Sequence, residues 1–275
     1  MIGVFDSGLG GVTVVRRVRE RLPKSDIVLF ADQAHVPYGE RANEELASLL
    51  EANLAWLDGQ NVDAIVMGCN TSCAIADTFG WPPTRAEVFD LIDSATIALQ
   101  RARAKRIGLI ATSATVRSGA YGRRIRNAIH ESEVWEVPAP LLVPLVEAGK
   151  IDAKETRAAV AEVCAQLPAG LDAVVLACTH YPVLDAHFAA ALGAHVPRID
   201  PAVVQAQRVA EFLARNEING ETGTTRYVTN ADVERFRENV VRIEGVTHDP
   251  SRAAFCAVEP LANAEHLAVR HLPVR

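Results

Sequence analysis

The chain alternates, over most of its length, between short β-rich apolar runs and amphipathic segments, and few folds accept such a pattern. IGVF at 2–5, DIVLF at 26–30, DAIVMGC at 63–69, RIGLIAT at 106–112 and DAVVLAC at 172–178 are nearly continuous in Val, Ile, Leu and Ala. Such runs predict strands buried on both faces, as in a parallel sheet. Between them, VTVVRRVRERL, NEELASLLEANLAWL and TRAAVAEVCAQL carry apolar residues at helical spacing with charged outer faces. Strand, helix and strand in this order predict open α/β sheets with right-handed crossovers. Loops are expected where Pro and Gly cluster, at 80–83 and around 138–149.

The pattern also repeats itself. Asp63-Ala-Ile-Val-Met-Gly-Cys69 matches Asp172-Ala-Val-Val-Leu-Ala-Cys178 at an offset of 109 residues, and Ile2-Gly-Val-Phe-Asp-Ser7 matches Ile107-Gly-Leu-Ile-Ala-Thr112 at an offset of 105. Buried strands resemble one another by composition alone. Both matches ending in register on a cysteine or a hydroxyl residue is harder to dismiss. The expected fold class is α/β, with two pseudosymmetric open α/β domains, each with a mostly parallel sheet, and an active site in the cleft between them. A length of 275 residues suits about two domains. The later segments VVQAQRVAEFLARN, TRYVTN and DVERFRENV read as helix, strand and helix returning to the first half. The expected division is therefore 1–95 plus 206–275 for a discontinuous first domain, and 96–205 for the second.

Several functions are disfavoured. Acidic residues outnumber basic ones 34 to 28, for a net charge of −6, which argues against a nucleic-acid partner. No apolar run approaches the roughly 18 residues of a membrane span. The opening MIGVFDSG runs straight into a strand-like segment, so the expected compartment is the cytoplasm. The five cysteines are irregularly spaced with no C-x-x-C pair, so they are expected to be free thiols rather than zinc or redox motifs. No His, Cys and carboxylate cluster has metal-ligand spacing. Pyridoxal phosphate needs a lysine held in the site, and Lys24, Lys105, Lys150 and Lys154 all stand in polar or surface contexts.

Ligands of open α/β sheets bind beyond the carboxyl ends of strands. Four expected strand exits carry polar or reactive residues: Asp6-Ser7-Gly8, Cys69-Asn70-Thr71, Ala111-Thr112-Ser113 and Cys178-Thr179-His180. Cysteines at two equivalent exits would face each other across a cleft, which suits a reaction at one carbon from two sides. The glycines after Ser7 do not form a nucleotide motif, because Thr13 stands where a dinucleotide fingerprint needs its third glycine. They are expected to let the backbone approach a small ligand or the facing domain, with helix N–H groups directed at a carboxylate. Blander roles exist for every residue. A buried cysteine is usually packing, and that reading holds for Cys73, Cys164 and Cys256. His180 could cap a helix, Asp6 could bind the glycine loop, Glu147 could be a solvated loop residue, and Tyr38 between Pro37 and Gly39 could be a turn.

Taken together, Asp6-Ser7-Gly8-Leu9-Gly10-Gly11, Val36-Pro37-Tyr38-Gly39, Cys69-Asn70-Thr71, Thr115-Val-Arg-Ser118-Gly-Ala-Tyr121, Leu142-Val-Pro-Leu-Val-Glu147 and Cys178-Thr179-His180-Tyr181-Pro182 resemble the signature segments of the glutamate racemases. These belong to the cofactor-independent aspartate/glutamate racemases. The resemblance runs in order from residue 2 to about 240. It implies a racemase of L- and D-glutamate, with no cofactor, that supplies D-glutamate for peptidoglycan. It further implies that Cys69 and Cys178 are the two acid/base thiols, that Asp6 and His180 assist them, and that Glu147 is a carboxylate near the second. Asp6, Ser7, Tyr38, Gly39, Asn70, Thr71, Thr179 and His180 match substrate contacts, and a homodimer is compatible with the family. The sequence departs from the pattern at Cys73, at Ala111, at Trp81-Pro82-Pro83 and in Phe89-Asp-Leu-Ile-Asp-Ser94. Those departures leave open a racemase or decarboxylase of another dicarboxylate such as aspartate. A different class of function, a catalytically silent amino-acid-binding or regulatory module, would not need both thiols.

Overall fold

A computed structural model of the chain describes residues 1–244 and 250–261. Ten strands are described: β1 (Ile2–Asp6), β2 (Ile27–Ala31), β3 (Ala64–Met67), β4 (Glu87–Phe89), β5 (Arg106–Ala111), β6 (Glu133–Pro138), β7 (Ala173–Ala177), β8 (Arg198–Ile199), β9 (Thr225–Thr229) and β10 (Ala253–Ala257). Among them run α1 (Gly11–Arg21), α2 (Asn43–Asp58), α3 (Asn70–Phe79), α4 (Leu91–Ala102), α5 (Ser113–Ser118), α6 (Ala120–Ala128), α7 (Leu142–Glu147), α8 (Lys154–Cys164), α9 (Asp185–Leu192), α10 (Pro201–Arg215) and α11 (Val233–Glu244).

The strands form two sheets, in the orders β10-β9-β2-β1-β3-β4 and β6-β5-β7-β8. Every pairing given for them is parallel. The order β2-β1-β3-β4 in the first sheet is repeated as β6-β5-β7-β8 in the second, so the two halves are wound alike. The central strands show why. β1 and β5 are fully buried past their first residues, and each carries glycine second or third along the strand. A Cβ on Gly3 would lie 3.2 Å from Val62, just before β3, and one on Gly108 would lie 3.0 Å from Leu171, just before β7. The same close approach is made twice.

β4, β6, β8 and β10 were not among the expected strands. They are short or lie at a sheet edge, where one side is uncovered and the apolar run is interrupted. β6, for example, carries Glu133 and Glu136. A second difference falls at 138–149, expected as loop, where the helix α7 stands. Its Pro144 occupies the first turn, where no intrahelical N–H partner is required.

After the second sheet the chain returns to the first. β9 pairs with β2 and β10 with β9, and Tyr227 stacks on Phe255 with ring centroids 5.0 Å apart. α10 lies at the junction between the halves. Its buried Gln205 donates to the Met67 carbonyl at 2.8 Å and the Phe89 carbonyl at 2.7 Å, beneath the exits of β3 and β4. The expected domain boundary at 205–206 falls inside this helix, and residues 245–249 and 262–275 of the first expected domain lie outside the described residues. No described helix is long and apolar enough to cross a membrane.

Candidate active site

The carboxyl ends of β1, β3, β5 and β7 converge on a cleft of about 740 Å³, counting its open mouth. Ten of the eleven residues singled out from sequence line it, and Asp6 does not. The lining contains no lysine or arginine.

On the first wall, β3 runs through Gly68 into Cys69, which caps α3. The Cys69 sulfur accepts from the Ser72 amide at 3.5 Å and from the Ser7 hydroxyl at 3.4 Å. Gly68 permits this course, since a Cβ there would meet the Phe5 carbonyl at 2.8 Å. Asp6, at the end of β1, is 1% exposed and stands behind Ser7. It accepts from the Gly8 amide at 2.6 Å and from the Thr179 hydroxyl at 3.0 Å. Burial raises the Asp6 carboxyl to about 7, although His180 and the Gly8 amide pull it back. Burial, followed by the charge of Asp6, pushes the Cys69 thiol upward as well.

On the second wall, Cys178 leaves β7 with its sulfur 3.7 Å from His180 Nδ1. His180 Nε2 lies 2.6 Å from Glu147 Oε1, which also accepts from the Leu9 amide at 3.0 Å. Burial opposes charge on His180, but hydrogen bonds to Cys178 and Glu147 outweigh it and hold the imidazole well above its usual range. Burial likewise opposes charge on Glu147, and the His180 interactions prevail, leaving that carboxyl below its usual value. Glu147 is therefore half-buried at the end of α7, in an ion pair, rather than solvated in a loop. His180 does not cap a helix with its side chain.

The glycine loop is where the walls touch. Thr13 Oγ1 donates to the Thr179 carbonyl at 2.8 Å. A Cβ on Gly10 would lie 2.1 Å from Thr179 Oγ1, so glycine serves the approach of the facing half. In the loop before α1 the amides are taken by the protein's own carboxylates, Gly8 binding Asp6 and Leu9 binding Glu147, while the first-turn amides of Val12 and Thr13 bind the Leu9 and Gly10 carbonyls.

Besides the His180–Glu147 pair and Glu40, the polar lining is made of hydroxyl and amide side chains. Thr71 and Thr112 hydroxyls meet at 3.1 Å across the cleft, and Thr112 meets Thr115 at 2.9 Å. Asn70 accepts from the Tyr121 hydroxyl at Oδ1, while its Nδ2 is buried without a hydrogen-bond partner. Tyr38 presents its ring to the cleft and donates its hydroxyl to Asp32. Asp32 is fully buried and also holds His35 Nδ1 at 2.6 Å and Asn230 Nδ2 at 2.5 Å. Sequence reasoning passed over Asp32 and Asn230. Both stand immediately after strands, β2 and β9, so the exit rule that located Asp6 could have found them. No group of His, Cys, Asp and Glu that could hold a metal ion occurs among the described residues.

Comparison with known proteins agrees with this geometry. The Asp/Glu/hydantoin racemase family profile matches residues 2–209. The glutamate racemase of Gloeobacter violaceus is 38% identical over 239 residues, covering 86% of this chain and 90% of that protein. That of a Picosynechococcus species is 43% identical over 203 residues, covering 73% and 72%. Among solved structures, the glutamate racemase of Thermus thermophilus, in complex with β-chloro-D-alanine, has a TM-score of 0.81 at 32% identity and covers 94% of this chain and 96% of that one. The Francisella tularensis glutamate racemase, in complex with D-glutamate, has a TM-score of 0.79 at 28% identity, covering 87% and 91%. A duplicated sheet, a cysteine at each equivalent strand exit and these matches along most of the chain lead to one assignment: the protein belongs to the Asp/Glu/hydantoin racemase family, among the glutamate racemases.

Proposed function

We propose that this protein interconverts L- and D-glutamate without a cofactor, by proton transfer between two cysteines, and supplies D-glutamate for peptidoglycan in the cytoplasm. The observation that carries the reading is the placement of Cys69 and Cys178 at the ends of β3 and β7, lining one cleft, each with its own polar partners.

Racemisation removes the α-proton from one face and returns a proton to the other. A single base would have to move around the carbanion, whereas two opposed thiols need no such motion. One cysteine, as thiolate, takes the α-proton and becomes a thiol. The other, as thiol, gives its proton to the opposite face and becomes a thiolate. An ordinary thiol ionises near pH 8.5, so neighbours must choose which sulfur is charged. Asp6, titrating near neutrality behind Cys69, can exchange a proton on that side. His180, kept charged by Glu147, is a proton donor on the other. Negative charge accumulates on the α-carboxylate as the proton leaves, and the unpartnered Asn70 amide together with the Thr71 hydroxyl supplies donors for it, the Thr179 hydroxyl being engaged by Asp6. The two sheets would act as two domains closing on this substrate.

Circular dichroism of the protein with L-glutamate, with no cofactor added, tests the reading. Decay of the optical signal to zero is expected. A signal stable over hours at high enzyme concentration rejects it, and decay with aspartate alone reassigns the substrate.

A further inference from the structure

An asparagine side chain has one donating and one accepting end, and in a cleft for carboxylates the donating end is the useful one. Asn70 is 3% exposed at the start of α3 and lines the cleft, with its Nδ2 unpartnered. Its Oδ1 is taken by the hydroxyl of Tyr121, which α6 brings from the second half of the chain. Tyr121 is 0% exposed, and its hydroxyl makes no other hydrogen bond among the described residues. Burial pushes its phenol well above the ordinary tyrosine range, so the proton stays on oxygen at any assay pH. Turning the amide over would leave that proton without an acceptor in a fully buried place. It would also aim a carbonyl oxygen at the substrate.

We propose that Tyr121 is a positioning residue: its hydroxyl fixes the Asn70 amide with the NH2 group toward the cleft, and so decides which end meets a substrate carboxylate. The inference rests on the reading of the cleft as a glutamate site. Its test is a cycle of four proteins, wild type, Y121F, N70A and the double variant, assayed for kcat/KM with both glutamate enantiomers. Loss of one orienting hydrogen bond should lower kcat/KM about 5- to 15-fold in Y121F, on the order of a neutral hydrogen bond's worth. In the N70A background the same change should cost less than about twofold, because the group being oriented is gone. Equal losses in both backgrounds, or none in either, overturn the proposal. Should Y121F fail to fold, N70D carries the test. That variant keeps an acceptor for Tyr121 and should melt cooperatively, yet it should lose at least about a hundredfold as carboxylate faces carboxylate. Activity of N70D within fivefold of wild type overturns the proposal as well. An inert wild type overturns the functional reading and this inference together, whereas an active wild type with an unaffected cycle overturns this inference alone.

Discussion

Cys69 and Cys178 leave equivalent strands but sit among unlike neighbours, hydroxyl and carboxylate for one, imidazole and carboxylate for the other. Serine at either position keeps the shape and removes an ionisable base. Each single variant should lose racemisation by two to four orders of magnitude, the range for a positioned acid or base. One thiol remains on one face, so each should still eliminate a β-leaving group from a single enantiomer. The family resemblance implies that Cys69 serves the D-enantiomer and Cys178 the L-enantiomer. Elimination rates with both enantiomers of a β-chloro amino acid check this, and identical preferences in C69S and C178S would refute the two-face mechanism. Asp6 gives a second test, through stability. Its carboxyl is raised from 3.8 to about 7 in the folded protein, so the native state binds this proton more tightly than the unfolded chain. The stabilisation is complete below about pH 4 and is lost as pH climbs through 7. D6N is neutral throughout, and its amide can still accept from Gly8 and bind Thr179. The melting temperature of D6N minus that of wild type should therefore rise between pH 5 and pH 8. A difference that stays flat shows that Asp6 is not the titrating group.

The turn from β1 into α1 joins two glycines with different tasks. Gly10 is in ordinary helical conformation, so only space forbids a side chain there, and the atoms in the way belong to the facing half. Gly11 would drive its Cβ to 2.7 Å from Asp6 Cβ and Leu29 Cδ1, both in the first sheet. Alanine at 10 should hold the halves apart and lower kcat/KM about a hundredfold, since misplacement by about an ångström can have that effect. Alanine at 11 should act mainly on stability, by about 1–3 kcal/mol of overpacking. Activity assays beside thermal melts separate the two, and the reverse pattern would mean the wall contact is not needed for catalysis. α7 teaches a similar lesson. It reads as a loop from Pro144 within it and the prolines and glycine that flank it, yet it is the element that carries Glu147 to His180.

Across the whole molecule, a substrate held between two sheets should stiffen their junction. A ligand that binds only the folded state adds about 2.7 kcal/mol at 100 times its Kd, enough for roughly 5–10 °C in a chain of this size. D- and L-glutamate should both raise the melting temperature, and in C69S as much as in wild type, because binding does not need the proton transfer. No shift in C69S would mean that the thiol itself holds the ligand. The five internal runs and their duplication were legible from residues alone. β1, β2, β3, β5 and β7 lie inside their sheets, buried on both faces, and such burial writes an apolar run directly into the chain. The edge strands are covered on one side only, so β6 and β10 left no comparable mark. The strand-exit residues could be named because a parallel sheet sends every carboxyl end to the same rim. Their partners could not: Thr13 binds Thr179 across 166 positions, Thr179 binds Asp6 across 173, and Tyr121 binds Asn70 across 51. Hydrophobic period is a local property, set by which face of each element is buried, and one sequence determines it. Which carboxyl keeps its proton toward neutral pH, which imidazole is held charged and which end of an amide meets a buried hydroxyl are decided only when the two sheets dock and exclude water between them.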